Sequence, residues 1–179
     1  MFTAFLFTKT AQGASFMGLL QKVGAQTYFL KTESTNYKIV PENFEVLQQM
    51  KRLNSGDLLI GQGEMSMTEK SVSVFSIDYV GLTHILGVWL GENMIVKFKN
   101  FNEFSVYEFD SKSTEKYKFS IWNYSLAPLE NNNWALFFSD ETSTNLGRLE
   151  LKKNTATLDI LNVETGEIIK STSLKKPLH

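Results

Sequence analysis

The stretch GVWLGENMIVKFK, residues 87–99, decides the fold class. After the Gly87-Val88-Trp89 triplet, Met94, Val96 and Phe98 alternate with Asn93, Ile95, Lys97 and Lys99. A period of two is what a strand produces when its side chains point by turns to a buried face and to the opposite one. The pattern returns downstream. Tyr117, Phe119 and Ile121 alternate with Lys118, Ser120 and Trp122, and Leu149 and Leu151 with Arg148, Glu150 and Lys152. Residues 103–109, 133–139, 155–161 and 167–173 read as further strands, divided by polar, turn-forming runs at 110–114, 131–132, 140–145, 153–154 and 164–166. Roughly eight short strands separated by turn signals describe a small sandwich or an up-and-down barrel.

Working back towards the N terminus, residues 16–23, 26–31 and 36–40 read as three more strands. A helix is expected over 41–53. Pro41 suits a first helical turn, Glu42 and Glu45 favour its positive end, Phe44, Leu47, Met50 and Leu53 recur at helical spacing with Val46 beside them, and Asn54-Ser55-Gly56 is a stop. In residues 57–65, Gly61 and Gly63 interrupt an apolar run, which suits a strand that bends or passes close to another backbone. Within 71–80, Val72 and Val74 share a face before Phe75, Ile77 and Tyr79 take over, the phase jump of a β-bulge. The helix-containing half ends near residues 82–86. Two modules are therefore expected in an all-β chain: residues 1–84 with the one helix, and 85–179 with the meander. Residues 1–15 are expected to be an N-terminal strand or ordered arm and not a signal remnant, because the start lacks a basic residue and its apolar run is short.

Composition supports this reading and narrows the partners. Hydrophobic residues are 42% and charged residues 21%, so a core is available; 14 Phe, 6 Tyr and 3 Trp against 3 Pro favour strands. With 18 Lys and Arg against 19 Asp and Glu, the net charge of −1 offers no field to draw in nucleic acid or an anionic membrane. Lys97, Lys99, Lys112, Lys116 and Lys118 do lie near Tyr107, Phe109 and Tyr117, but Glu103, Glu108, Asp110 and Glu115 cancel them locally. A nucleic-acid partner is disfavoured, and no apolar stretch is long enough to span a membrane as a helix. Cysteine is absent, which removes thiolate chemistry. The compartment stays open between cell envelope and cytoplasm, as does the oligomeric state.

Two resemblances follow from element order and one triplet. A strand pair, a third strand, a helix and then Gly56-Asp57 opening a two-strand return, over residues 15–82, resembles an OB-fold, in which a helix commonly lies between the third and fourth strands. The second half resembles a lipocalin-like (calycin) domain, in which Gly-x-Trp opens the first strand and a meander closes a barrel around an apolar ligand; Gly87-Val88-Trp89 would be that opening. The half is shorter than a full lipocalin, and so small a barrel can be filled by its own side chains.

No catalytic residue, cofactor or metal ligand is assigned. His84 and His179 are the only histidines, without a zinc-ligand spacing, and His84 is expected to be structural or on the surface. Asp57, Glu64 and Asp78 could serve a carboxylate-dependent hydrolase only if two of them met in one cleft. Gly61-Gln62-Gly63 lacks the Lys-Ser/Thr of a phosphate loop. If Tyr117, Phe119 and Ile121 form the buried face of their strand, Trp122 and Tyr124 face outwards, and exposed rings of that kind suit recognition of a protein partner. The first expectation is thus a non-enzymatic binding or interaction protein that uses Trp122 and Tyr124. The alternative is a carrier of a small apolar ligand inside the second module, lined by Trp89, Phe98, Phe119 and Phe138.

Overall fold

The computed structural model describes residues 13–24, 26–109, 117–130 and 133–177. Most of residues 1–15, together with His179, Asp110, Lys112, Glu115 and Lys116, therefore lie outside the described residues. The described chain is all-β, with thirteen strands and one α-helix, and its strands close two rings within one continuous ladder.

The first ring comprises β1 (Ala14–Val23), β2 (Thr27–Lys31), β3 (Asn36–Pro41), β4 (Leu58–Ser66) and β5 (Ser71–Gly81), with α1 (Phe44–Arg52) between β3 and β4. β1 pairs with β2 and, on its other edge, with β4; β2 pairs with β3, β3 runs parallel to β5, and β5 returns to β4. Alternation places Phe16 and Leu20 of β1, Tyr28 and Leu30 of β2, and Tyr37 and Ile39 of β3 inside the ring. A Cβ at Gly61 would lie 2.1 Å from the Ser76 carbonyl oxygen, and one at Gly63 2.5 Å from that of Ser73, so only glycine permits this approach of β4 to β5. The bulge is there twice: the register steps from Ile60↔Tyr79 to Gly61↔Ile77, passing over Asp78, and from Gln62↔Ser76 to Gly63↔Val74, passing over Phe75.

The helix starts three residues later than its sequence suggests. Pro41 completes β3, and Asn43, in an extended conformation, caps the helix by accepting the Val46 N–H at 2.9 Å. The Asn43 side chain also donates to the carbonyl of the bulged Phe75 at 3.0 Å, tying the helix start to the kink in β5. Val46, Met50 and Leu53 are buried, whereas Phe44, expected on the buried face, is 74% exposed. The buried stripe runs Val46, Met50 and Leu53, and Phe44 lies on the far side of the helix from Val46.

A 3-10 turn at Thr83–Ile85 leads to the second ring: β6 (Gly87–Leu90), β7 (Met94–Phe98), β8 (Glu103–Glu108), β9 (Lys118–Pro128), β10 (Asn133–Ser139), β11 (Thr144–Leu151), β12 (Thr155–Leu161) and β13 (Ile168–Lys175). Each strand pairs antiparallel with the next, and β13 returns to β6 where Lys175 faces Leu90, closing an eight-stranded up-and-down barrel. The phase of β9 is the reverse of the expected one. Trp122, Tyr124 and Leu126 point inwards, while Phe119 (45% exposed) and Ile121 (47% exposed) lie outside. The strand runs on to Pro128, and its later apolar set, ending in the fully buried Leu126, fixes which face is inside; residues 117–121 alone were too short a window. Phe119 instead packs on Tyr107 across the outer face, ring centroids 4.7 Å apart.

The two rings meet at one end of the second barrel. Val80 of β5 pairs with Leu126 of β9, and Gly81 sits so close to the Phe101 ring that a Cβ there would lie 2.5 Å from it. Arg52, the last residue of α1, donates to the carbonyl oxygens of Leu129 and, at 2.9 Å, Asn133, with its guanidinium 4.5 Å from the centre of the Trp134 ring.

Candidate ligand cavity

The end of the second barrel nearest the first is sealed by side chains. Trp89 is fully buried, and its indole N–H donates to the Ile85 carbonyl at 2.6 Å. Lys176, just beyond β13, places its ammonium 5.0 Å from the centre of that ring and donates to the carbonyls of His84 (2.5 Å) and Leu86 (3.3 Å). Next to it, Phe98, Phe104 and Tyr124 pack with ring centroids 5.2 to 5.7 Å apart. The Tyr124 hydroxyl donates to the Asn100 carbonyl at 2.8 Å, and burial drives its pKa far above the usual phenol value. The polar atoms of these rings, the Trp89 N–H and the Tyr124 hydroxyl, both have partners.

Further along the barrel the rings change role. Phe138 meets Phe104 edge-on at 5.9 Å and Trp122 at 5.3 Å. Beyond them lies a cavity of about 210 Å³, its apolar wall made by Trp122, Phe138, Leu136, Leu158, Val106 and Ile160. The Trp122 N–H is satisfied by the Ser120 hydroxyl oxygen at 2.9 Å, so the indole turns an apolar surface to the space. Met94, Glu108, Lys118, Lys170 and Thr172 wall both this cavity and an adjoining surface groove of about 640 Å³. The groove follows from the strand lengths. β13 pairs with β12 from Ile168 to Lys175, but β6 meets it only at Lys175↔Leu90, so the rest of that edge has no partner strand among the described residues. Exposed Phe109 and Tyr117 line the same groove.

The rim carries three charged side chains. Glu108 faces Lys118 across the β8–β9 ladder, yet its carboxylate pairs with Lys170 of β13 at 3.1 Å, bridging strands that are not neighbours in the sheet. The Lys118 ammonium makes no ion pair or hydrogen bond among the described residues.

The residues singled out from the sequence are distributed unevenly over this architecture. Phe138 lines the cavity, and so does Trp122, which was expected on the outer surface. Tyr124, expected beside it outside, is 5% exposed and lies below the cavity. Trp89 and Phe98 fill the sealed end, and Phe119, expected to line the interior, is on the outer wall. Sequence reasoning does not single out Val106, Leu136, Leu158, Ile160 or Lys170, and it names Lys118 only among charges cancelled by neighbouring acids. The alternation of β8, β10 and β12 carried that signal, since each of these apolar residues shares a phase with a buried neighbour two positions away.

Other candidates stay apart. Asp57 is fully buried and satisfied by the Asn54 and Thr83 amides and the Thr83 hydroxyl, each at 2.7 Å. It holds the turn between the rings. Asp78 accepts from Ser76 at 2.8 Å and Gln62 at 3.2 Å, and Glu64 is exposed further along β4, so the three carboxylates share no partner. Of the lysines near the tyrosines, Lys99 is paired with Glu103 at 2.5 Å. Among the described residues, no group of three or more His, Asp and Glu is arranged to hold a metal ion. No protein-family model, curated protein or solved structure matches the chain.

Proposed function

We propose that the second barrel binds a small, mainly apolar molecule without chemical turnover. The observation that carries this reading is the 210 Å³ space above the packed rings, lined mostly by apolar side chains, with Glu108, Lys118 and Lys170 at its rim. Ligand sites have this form: an apolar pocket with a few polar groups at one side. Eight strands is also the number at which a barrel interior just fits its own side chains or one small ligand. The meander opened by Gly87-Val88-Trp89 supports the lipocalin-like resemblance, and the ring order β1-β2-β3-β5-β4 with a helix between β3 and β4 supports the OB-like one. In this reading residues 85–179 form the module that receives the ligand, and the module over residues 1–84 lies against its sealed end. Recognition of a protein through outward-facing Trp122 and Tyr124 has lost its geometric basis, since both point inwards.

The test is fluorescence titration with 1-octanol, because Trp122 borders the cavity. A saturable change is expected at sub-millimolar concentration, since burying several methylene groups at about 0.8 kcal/mol each outweighs the cost of association by a modest margin. Leu158→Phe, which grows a ring into the space, abolishes the response while the thermal midpoint stays within a few degrees. A Trp122→Phe variant that keeps binding, followed by calorimetry, identifies the reporter. Absence of saturable octanol binding to the unaltered chain overturns the proposal.

A further inference from the structure

Resting on that reading, we infer that the cavity takes a monoanionic amphiphile, a carboxylate with an apolar tail of about eight carbons, whose head group meets Lys118 at the rim. The tail length follows from volume. An engineered cavity of about 150 Å³ holds benzene, six carbons, so 210 Å³ accommodates roughly eight. The head group follows from the rim. Of the three charged residues walling the cavity, Glu108 and Lys170 neutralise one another at 3.1 Å. The remaining Lys118 ammonium has lost its natural cross-strand partner to that pair and has no other among the described residues. Glu92 lines the outer groove only and does not reach the cavity wall. The Ser120 hydroxyl, beside Lys118 on the inner face of β9, uses its oxygen to accept from Trp122 and keeps its own O–H to donate. A cation unmatched among the described residues, with a free donor beside it at the mouth of an apolar cavity, favours a head group that only accepts. A protonated amine would meet the Lys118 charge unfavourably, and an alcohol would leave it unmatched.

Calorimetric titration of the full chain with octanoate, 1-octanol and octylamine at low ionic strength separates this inference from the reading beneath it. Octanoate is expected to bind about fivefold tighter than octanol, the factor that one exposed charge contact near 4 Å supplies in water. Octylamine binds more weakly than octanol, and the octanoate advantage shrinks as salt is raised. Lys118→Met, which keeps an apolar stem of similar length, brings octanoate down to the affinity that the same variant shows for octanol; Lys118→Arg retains the preference. Octanoate binding no tighter than octanol, or an advantage that survives Lys118→Met, overturns the head-group inference and leaves the cavity reading standing. Failure of all three probes to bind overturns both.

Discussion

The two barrels share one ladder and differ in what their circumference allows. In the five-stranded ring the walls approach so closely that Gly61 and Gly63 replace side chains against neighbouring carbonyls, and the interior is taken by fully buried residues such as Leu30 and Val72. In the eight-stranded ring the sealed end is packed by Trp89, Phe98, Phe104 and Tyr124, yet the other end keeps a cavity. Barrel diameter grows with strand number, so three extra strands turn a filled core into one with room to spare. Large rings serve differently in consequence: at one level of the second barrel they close space, and a few residues further along they wall it.

That contrast is broken most forcefully at Gly61. In Gly61→Val the new Cβ would lie 2.1 Å from the Ser76 carbonyl, a backbone atom that cannot swing aside. Overpacking costs about 1 to 3 kcal/mol where side chains can shift, and here the loss should reach or exceed the upper end. Urea unfolding followed by far-UV circular dichroism should record it. Leu158→Phe also enlarges a buried side chain, but in the roomy barrel, and there the midpoint should hardly move. Equal losses in the two variants would show that circumference does not govern tolerance.

The joint between the barrels gives the next largest effect. Arg52 binds two carbonyls of the β9–β10 connection and stacks on Trp134. Removing its charge in Arg52→Met gives up charge-assisted hydrogen bonds and a cation–π contact, about 2 kcal/mol in sum. In differential scanning calorimetry the unaltered chain should give one transition and Arg52→Met two, because the substitution removes a tie across a joint that also holds Val80↔Leu126 and the Gly81–Phe101 contact. One unchanged transition would mean that those contacts couple the barrels unaided.

Strand existence was legible almost throughout, since a half-buried strand writes its period of two into the chain: β10 and β12 occupy the residues that alternation assigned them, 133–139 and 155–161. The paired bulges were legible as a phase jump, and Gly61 and Gly63 as points of close backbone approach, because both are local properties. The inward face of β9 was not. Phe119 and Trp122 are both large and apolar, and which of them is inside is decided by Leu126 and by the partners on β8 and β10, several residues or a whole strand away. The helix start failed for a similar reason: Pro41 can open a helix or end a strand, and its pairing with Val74 on β5 chose the latter. The cavity was invisible in principle. Alternation reports which residues point inwards, but not whether their volumes add up to the space the strands enclose.

The smallest effect concerns His84, at the joint, where a shift in charge tests whether the seam responds to pH independently of either core. Its ring lies in the 3-10 turn between β5 and β6, with Nδ1 buried and without a partner among the described residues. Burial pushes its pKa below the usual imidazole value; the Asp57 carboxylate opposes this and the Lys176 ammonium adds to it. Arg52, Lys152 and Lys153 line the same shallow groove and add further positive charge. The folded chain therefore holds the His84 proton less firmly than the unfolded chain does. Its contribution is fully present above the unfolded value of about 6.5 and is lost as pH falls from there through the folded value. Because the side chain is partly exposed and solvent screens it, the loss should amount to only a few tenths of a kcal/mol. Urea midpoints between pH 7.5 and 5 should fall slightly for the unaltered chain, and His84→Gln should remove that slope. A slope that persists in His84→Gln would place the titrating group elsewhere.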